Sequence, residues 1–229
     1  YTSGQTFTDL SGGGTNFYLG TTSGSEASDP TFAGSAGGLS NGEYFSFDGG
    51  DVFTLTGSNP AWIENIHKAS AKFTYLFAWY PGSLASGIGI LGTNGSSGGN
   101  IGHHILGNTN GQLNFRCINA GTVCDVTSGA TCKVTANAWN LVAVAWDAAA
   151  GAGGSAFVIN SVAVAVDGTY TGPSSSAATY PLQLGARGNL NSPALSGSRL
   201  GVVLAWEGRR LTTGEILAAQ DLFRARYGI

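Results

Sequence analysis

One short helix closes a chain that otherwise reads as strands, and the side chains mark where it opens. In Leu211-Thr212-Thr213-Gly214-Glu215-Ile216, Thr212 and Glu215 stand three residues apart. At that spacing a hydroxyl and a carboxylate each satisfy a free backbone N–H at a helix start. The pattern predicts a helix from about Thr213 to about Arg226. Two strand patterns precede it, Leu182-Gln183-Leu184-Gly185 and Gly201-Val202-Val203-Leu204-Ala205-Trp206, with a Gly/Asn/Ser-rich loop between them.

The strands upstream are of two kinds. Trp139-Asn140-Leu141-Val142-Ala143-Val144-Ala145-Trp146-Asp147 is apolar at both alternating positions, as a central strand covered on both faces must be. Phe73, Tyr75, Phe77 and Trp79 alternate onto one face, a core stripe more often than a sugar-stacking platform. Trp139, Trp146 and Trp206 likewise read as core. Only 10% of residues are charged, against a usual quarter, and 37 are Gly, which suits many tight turns and few solvated helical faces. At 229 residues, one all-β domain accounts for the chain.

Taken in order, Tyr44-Phe45-Ser46-Phe47-Asp48-Gly49-Gly50-Asp51-Val52-Phe53, the strand from Phe73 to Pro81, the Trp139–Asp147 strand and the closing strand and helix resemble one family. It is the laminin-G-like branch of the concanavalin A-like lectin/glucanase superfamily. The resemblance covers roughly Tyr44 to Ile229 and rests on the order of the segments, not on any single motif. It implies a two-sheet antiparallel jelly-roll sandwich, concanavalin A-like, and implies sugar binding more often than any other activity. Residues 1–229 then form a single domain. Residues 1–41 are a Gly/Ser/Thr-rich lead-in that contributes an edge strand, with Phe17-Tyr18-Leu19 as the candidate. A flexible linker from a longer parent protein is the alternative for this stretch.

Several function classes are excluded. A net charge of −3 argues against binding a phosphate backbone, and four of the seven Arg residues (Arg209, Arg210, Arg224 and Arg226) flank or lie in the predicted helix. No apolar run approaches the roughly 20 residues that cross a bilayer. No signal peptide precedes Tyr1, and the absence of Met points to a processed or trimmed chain. The Glu-x-Asp-x-Glu strand of retaining glucanases is missing, and the acidic residues are scattered. Asn65-Ile66-His67 is only a faint echo of a lyase-type Gln-[Ile/Val]-His strand, and neither Gly-x-Ser-x-Gly nor His-Glu-x-x-His occurs. No enzyme is expected.

Cys117 alternates with Leu113 and Phe115 and reads as a buried free thiol. Cys124 and Cys132 enclose a short polar loop that a disulfide would close, although Cys117 with Cys124 is also open. A disulfide would place the protein outside the cytoplasm. Calcium is left open at Asp48 and Asp51 and is not predicted; no other cofactor is expected.

Ligand contact is expected on rim loops, in Thr93 to His104, Asn119 to Thr131 and Arg187 to Ser196. Arg187, Asn189 and Asn191 supply planar hydrogen-bonding groups that suit sugar hydroxyls, or else serve as turn residues. His103 and His104 join the set as a pair at the edge of a loop; the plainer alternative has one imidazole bonded within the sandwich and the other solvated. Trp62 joins it as an indole that either stacks on a pyranose ring or covers the sandwich end. The resulting expectation is a non-catalytic recognition module binding glycan or a host-surface polysaccharide, extracellular or virion-associated. The alternative is a structural virion protein, such as a capsid decoration, head-spike or tail-associated domain, in contact with other virion proteins.

Overall fold

Alternating side chains build two antiparallel sheets that face each other. The computed structural model describes residues 1, 3–37, 42–95, 100–119, 122–166, 168–170 and 175–229. In chain order the first strands are β1 (Thr6–Phe7), β2 (Phe17–Leu19), β3 (Thr31–Ala33), β4 (Tyr44–Ser46) and β5 (Phe53–Leu55). A short helix α1 (Ala61–Asn65) leads to β6 (Lys72–Tyr80), β7 (Ile88–Gly92), β8 (Gly102–Gly107) and β9 (Leu113–Ile118). Then come β10 (Thr122–Thr127), β11 (Asn140–Asp147), β12 (Ala156–Ile159), β13 (Val162–Ala165) and β14 (Gly168–Tyr170). The chain ends with β15 (Gln183–Leu184), β16 (Arg199–Glu207) and helix α2 (Thr213–Tyr227). One sheet runs β1-β2-β5-β15-β7-β8-β9-β10-β14, the other β13-β12-β11-β6-β16-β4-β3. The fold is the expected all-β concanavalin A-like sandwich with its C-terminal helix.

Between the sheets, Phe73, Tyr75, Phe77 and Trp79 of β6 are at most 2% exposed and share one core with Phe115, Phe53 and Trp146. The two-faced apolar strand β11 has its cause here. Val142, Val144 and Trp146 join the inter-sheet core, while Leu141, Ala143 and Ala145 face outward. There they are covered by Ile216 and Tyr227 of α2. Gln220 Nε2 ties helix to sheet by donating to the carbonyls of Leu141 and Val158, both at 3.0 Å.

The predicted start of α2 is present. Thr212 Oγ1 accepts the Glu215 amide, the Glu215 carboxylate accepts the Thr212 amide, and Gly228 in the left-handed region (φ 69°) ends the helix. Two of the tryptophans read as core sit elsewhere. Trp206 packs half-buried beneath α2, and Trp139 packs against Tyr227 at 4.7 Å between ring centres. The lead-in carries β1 and β2 at one edge of the nine-stranded sheet and β3 at the edge of the seven-stranded one.

The cysteines differ from expectation. Cys124 is not in a loop but on β10, facing inward and directly opposite Cys117 of β9. Cys132 lies beyond that strand and points across the sandwich, its thiol 3.2 Å from the Val162 carbonyl. The Cys124–Cys132 bond is therefore absent; all three thiols are free and buried. Burial, and the neighbouring Cys124 thiol, hold the Cys117 thiol well above its ordinary pKa. Thiol titration in denaturant without reductant should find three reactive groups per chain; a count of one would restore a disulfide. Without that bond, cysteine chemistry no longer argues for an extracellular setting.

Candidate functional site

The two sheets differ in what covers their outer faces. Helix α2 lies over the seven-stranded sheet. No α-helix of the described residues packs on the outside of the nine-stranded sheet. On that side the strand registers align one row of outward residues. Tyr18 pairs with Thr54, Thr54 with Gln183, and Gln183 with Gly92. Gly92 pairs with His104, His104 with Arg116, Arg116 with Asp125, and Asp125 with Thr169. Directly paired residues share a face. Their sequence neighbours Phe53, Leu184, Ile105, Phe115 and Val126 all enter the core, which fixes the row as outward.

The row is polar and cross-linked. Gln183 Nε2 donates to Thr54 Oγ1 at 3.1 Å. Arg116 Nη2 meets Asp125 Oδ2 at 2.8 Å, and the other Asp125 oxygen accepts from Asn114 Nδ2. Gly92 leaves the row open at its centre, since a Cβ there would stand 2.8 Å from His104 Cβ.

A loop folds over this opening and brings in Arg187. It leaves β15 through Gly185 (φ 83°), whose N–H donates to the Ile90 carbonyl at 2.7 Å. It is closed by Arg187 N to Asn191 O at 2.9 Å and held to β7 by Gly89 N to Ser192 O at 2.7 Å. The loop packs on residues 94–95 and Tyr180 so closely that a Cβ at Gly188 would approach Tyr180 Cβ to 2.8 Å. Arg187 Nη2 then donates to the Gly95 carbonyl at 2.9 Å.

Beneath the two guanidinium groups lies His104, fully buried, its Nδ1 bonded to Asn94 Oδ1. Because an amide oxygen only accepts, Nδ1 carries the proton and Nε2 presents a lone pair. Burial first, then Arg187 and Arg116, hold His104 well below the usual imidazole pKa, so the ring is neutral. Burial, and the charge of Arg116, also lower Arg187. Four buried nitrogens here have no hydrogen-bond partner: His104 Nε2, Asn94 Nδ2, Arg116 Nε and Arg187 Nε.

Of the residues expected to touch ligand, Arg187, Asn191 and His104 come together. Asn189 stands exposed at the lip in a left-handed turn (φ 62°), its carbonyl accepting from Asn191 Nδ2, a conformation Asn tolerates. His103 does not belong to the set. It points into the core, stacked on Tyr75 with Thr93 Oγ1 3.2 Å from Nδ1, and burial, with the charge of His67, pushes its pKa down to about 3. Neither histidine is solvated, because both faces of β8 are covered. Trp62 packs inward on Tyr75, at the edge of an apolar cleft of about 850 Å³ between the sheets.

Of the expected rim loops, Asn119 to Thr131 is largely β10 and Thr93 to His104 partly β8; residues 96–99 and 120–121 lie outside the described residues. The polar set thus sits on the sheet face under a loop, not at a rim. Asn94, Arg116, Asp125 and Gln183 were missed. Only Arg116 had a visible signal, its alternation against Leu113, Phe115 and Cys117. Asp48 and Asp51 cap their own turn, Asp48 N donating to Asp51 Oδ2 at 2.7 Å and Gly50 N to Asp48 Oδ1 at 3.0 Å. Among the described residues no group of three or more His, Cys, Asp or Glu is placed to hold a metal.

A laminin-G family model, Laminin_G_3, described as Concanavalin A-like lectin/glucanases superfamily, matches residues 55–216. A search by sequence against curated proteins matched none. Among solved structures, the binding domain of botulinum neurotoxin serotype G superposes with a TM-score of 0.66 at 12% identity, covering 94% of this chain and 48% of that one. Trypanosoma rangeli sialidase in complex with sialic acid gives 0.60 at 14%, covering 97% and 32%. The CBM40 of Ruminococcus gnavus IT-sialidase, bound to alpha2,3 sialyllactose, gives 0.54 at 11%, covering 77% and 95%. The chain thus spans about half of the first of these proteins and a third of the second. At such identities the likeness is one of fold.

Proposed function

Because the chain belongs to the Concanavalin A-like lectin/glucanases superfamily, we propose that it is a glycan-binding domain whose ligand lies on the outer face of the nine-stranded sheet, against Arg116, Arg187 and Asn191. The observation that carries this reading is the polar row in register across that sheet, on the face no described α-helix covers, with a second arginine folded over it. Arginine forks and amides offer the paired donors that sugar oxygens accept. Of the similar structures, the CBM40 is bound to sialyllactose, and the sialidase, a third of which is matched, is in complex with sialic acid, which supports the reading without identifying the sugar.

We read the domain as non-catalytic. Glycoside hydrolysis needs two carboxyl groups flanking one bond. The row holds a single carboxylate, Asp125, engaged by Arg116 and Asn114. An extracellular or particle-borne setting is part of the proposal, as the place where glycans are met. The similar structures are parts of a toxin and of sialidases and lend the virion alternative no support.

Glycan-array binding followed by calorimetry tests this. Arg116→Ala and Arg187→Ala should each lower affinity about 10- to 100-fold, the worth of a charge-assisted hydrogen bond, with the melting temperature nearly unchanged. Full affinity in both variants would overturn the location of the site.

A further inference from the structure

Among the described residues the charges on this face do not balance. Arg116 has its counter-ion in Asp125 at 2.8 Å. Arg187, half-buried, has none among the described residues; its guanidinium donates to the uncharged Gly95 carbonyl. A cation drawn partly out of water beside another cation is unfavourable unless an anion joins it. A fold that keeps such an arrangement at a site departs locally from what stability alone would select, and function is the usual reason.

Most of the unfilled hydrogen bonds have the same sense. Arg116 Nε, Arg187 Nε and Asn94 Nδ2 are donors lacking acceptors, while His104 Nε2 and, two residues before Arg116, Asn114 Oδ1 are acceptors lacking donors. The complement of three donors between two cations, with one lone pair beneath, is an oxyanion that has a hydroxyl close by. A neutral sugar supplies the hydroxyl but not the charge. A sugar acid supplies both, and its planar carboxylate matches a guanidinium fork.

Resting on the glycan reading of the same face, we infer that the ligand is an acidic sugar whose carboxylate is held between Arg116 and Arg187, with an adjacent hydroxyl as the donor His104 lacks. The domain then discriminates by charge as well as by shape. Its affinity falls as salt rises, because the ion pairs form at a partly solvated surface.

The test uses matched pairs of probes: trigalacturonate and sialyllactose, each beside its carboxyl-reduced form, titrated into the intact chain at low and high sodium chloride. The acidic member of at least one pair should bind at least about tenfold tighter, and the gap should close in Arg187→Gln, whose melting temperature should equal or exceed that of the parent. Arg116→Gln should narrow the same gap, which keeps the test decisive if one variant folds poorly. Equal binding of both members, lost in an Asn191→Ala variant, would overturn the acidic-sugar inference and leave the glycan reading standing. Binding of sulfated but not carboxylated probes would overturn it as well. Failure of every sugar on a broad array would remove both.

Discussion

Acidification from neutral pH should destabilise this protein from about pH 6.5 downward. All three histidines are held below the usual imidazole value, His103 to about 3. In each case the leading cause is burial, which disfavours the charged ring. A histidine whose folded pKa is depressed binds its proton in the unfolded chain first. The stability it contributes is complete above about pH 6.5 and is lost as pH falls from there toward the folded pKa, at up to about 1.4 kcal/mol per pH unit per fully buried ring. For His103 the window runs from 6.5 to about 3.

One group opposes this. Burial, then Asp48, raise Asp51 to about 6, so it takes up a proton in the folded state first and adds stability as pH falls from 6 toward the ordinary carboxylate range. That offsets about one histidine and leaves the others uncompensated. The groups around His103 are Tyr75, Thr93, Phe73, Phe115 and His67, none of which supplies a negative charge. Urea melts at half-unit steps between pH 7.5 and 4.5 should therefore show stability falling from about pH 6.5. His103→Gln, which keeps a hydrogen-bonding side chain beside Thr93 and Tyr75, should flatten the slope by roughly 1 kcal/mol per pH unit relative to the parent. A parent curve level down to pH 5, or an unchanged slope in the variant, would refute the assignment.

What was legible in the sequence follows one rule: periodicity within an element shows, while adjacency between elements does not. The stripe Phe73, Tyr75, Phe77 and Trp79, the two-faced β11 and the capping pair Thr212 and Glu215 each lie within one stretch of chain, and each sits in the fold as its pattern implies. The polar row is spread over eight strands, and its centre depends on β15 inserting between β5 and β7, strands far from it in sequence. Nothing local to Gln183 announces Gly92 and Thr54 as its neighbours. Burial of His104 was hidden for the same reason, since its cover comes from the distant 187–191 loop. Cys124 and Asp125 looked like loop because β10 follows turn-rich residues; its alternation spans only a few positions. Helix α1, five residues long, is too short for any period to show.

A single methyl group at Gly89 should cost both stability and ligand. A Cβ there would stand 2.6 Å from Arg187 N and from Ser192 O, and 2.7 Å from the Ala186 carbonyl carbon. All three are backbone atoms, which no rotamer change can move aside. Gly89 N–H also donates to Ser192 O at 2.7 Å, so β7 and the loop cannot separate without losing that bond. Restoring ordinary contact requires the loop to lift by most of an ångström, and it carries Arg187 with it. Gly89→Ala should therefore cost toward the upper end of the 1–3 kcal/mol typical of overpacking, a fall of roughly 5–10 °C in Tm for a chain of this size. Glycan affinity should fall with it, since a guanidinium displaced that far no longer meets its partner in line. Gly87→Ala is the control. Its backbone is left-handed (φ 77°) with nothing within 4 Å of the new Cβ, so it should lose only about 1 kcal/mol through backbone strain and bind as the parent does. Calorimetry and glycan titration of the two variants separate loop position from stability. If Gly89→Ala, measured well below its Tm, bound with parental affinity, the 187–191 loop would not be what places the site.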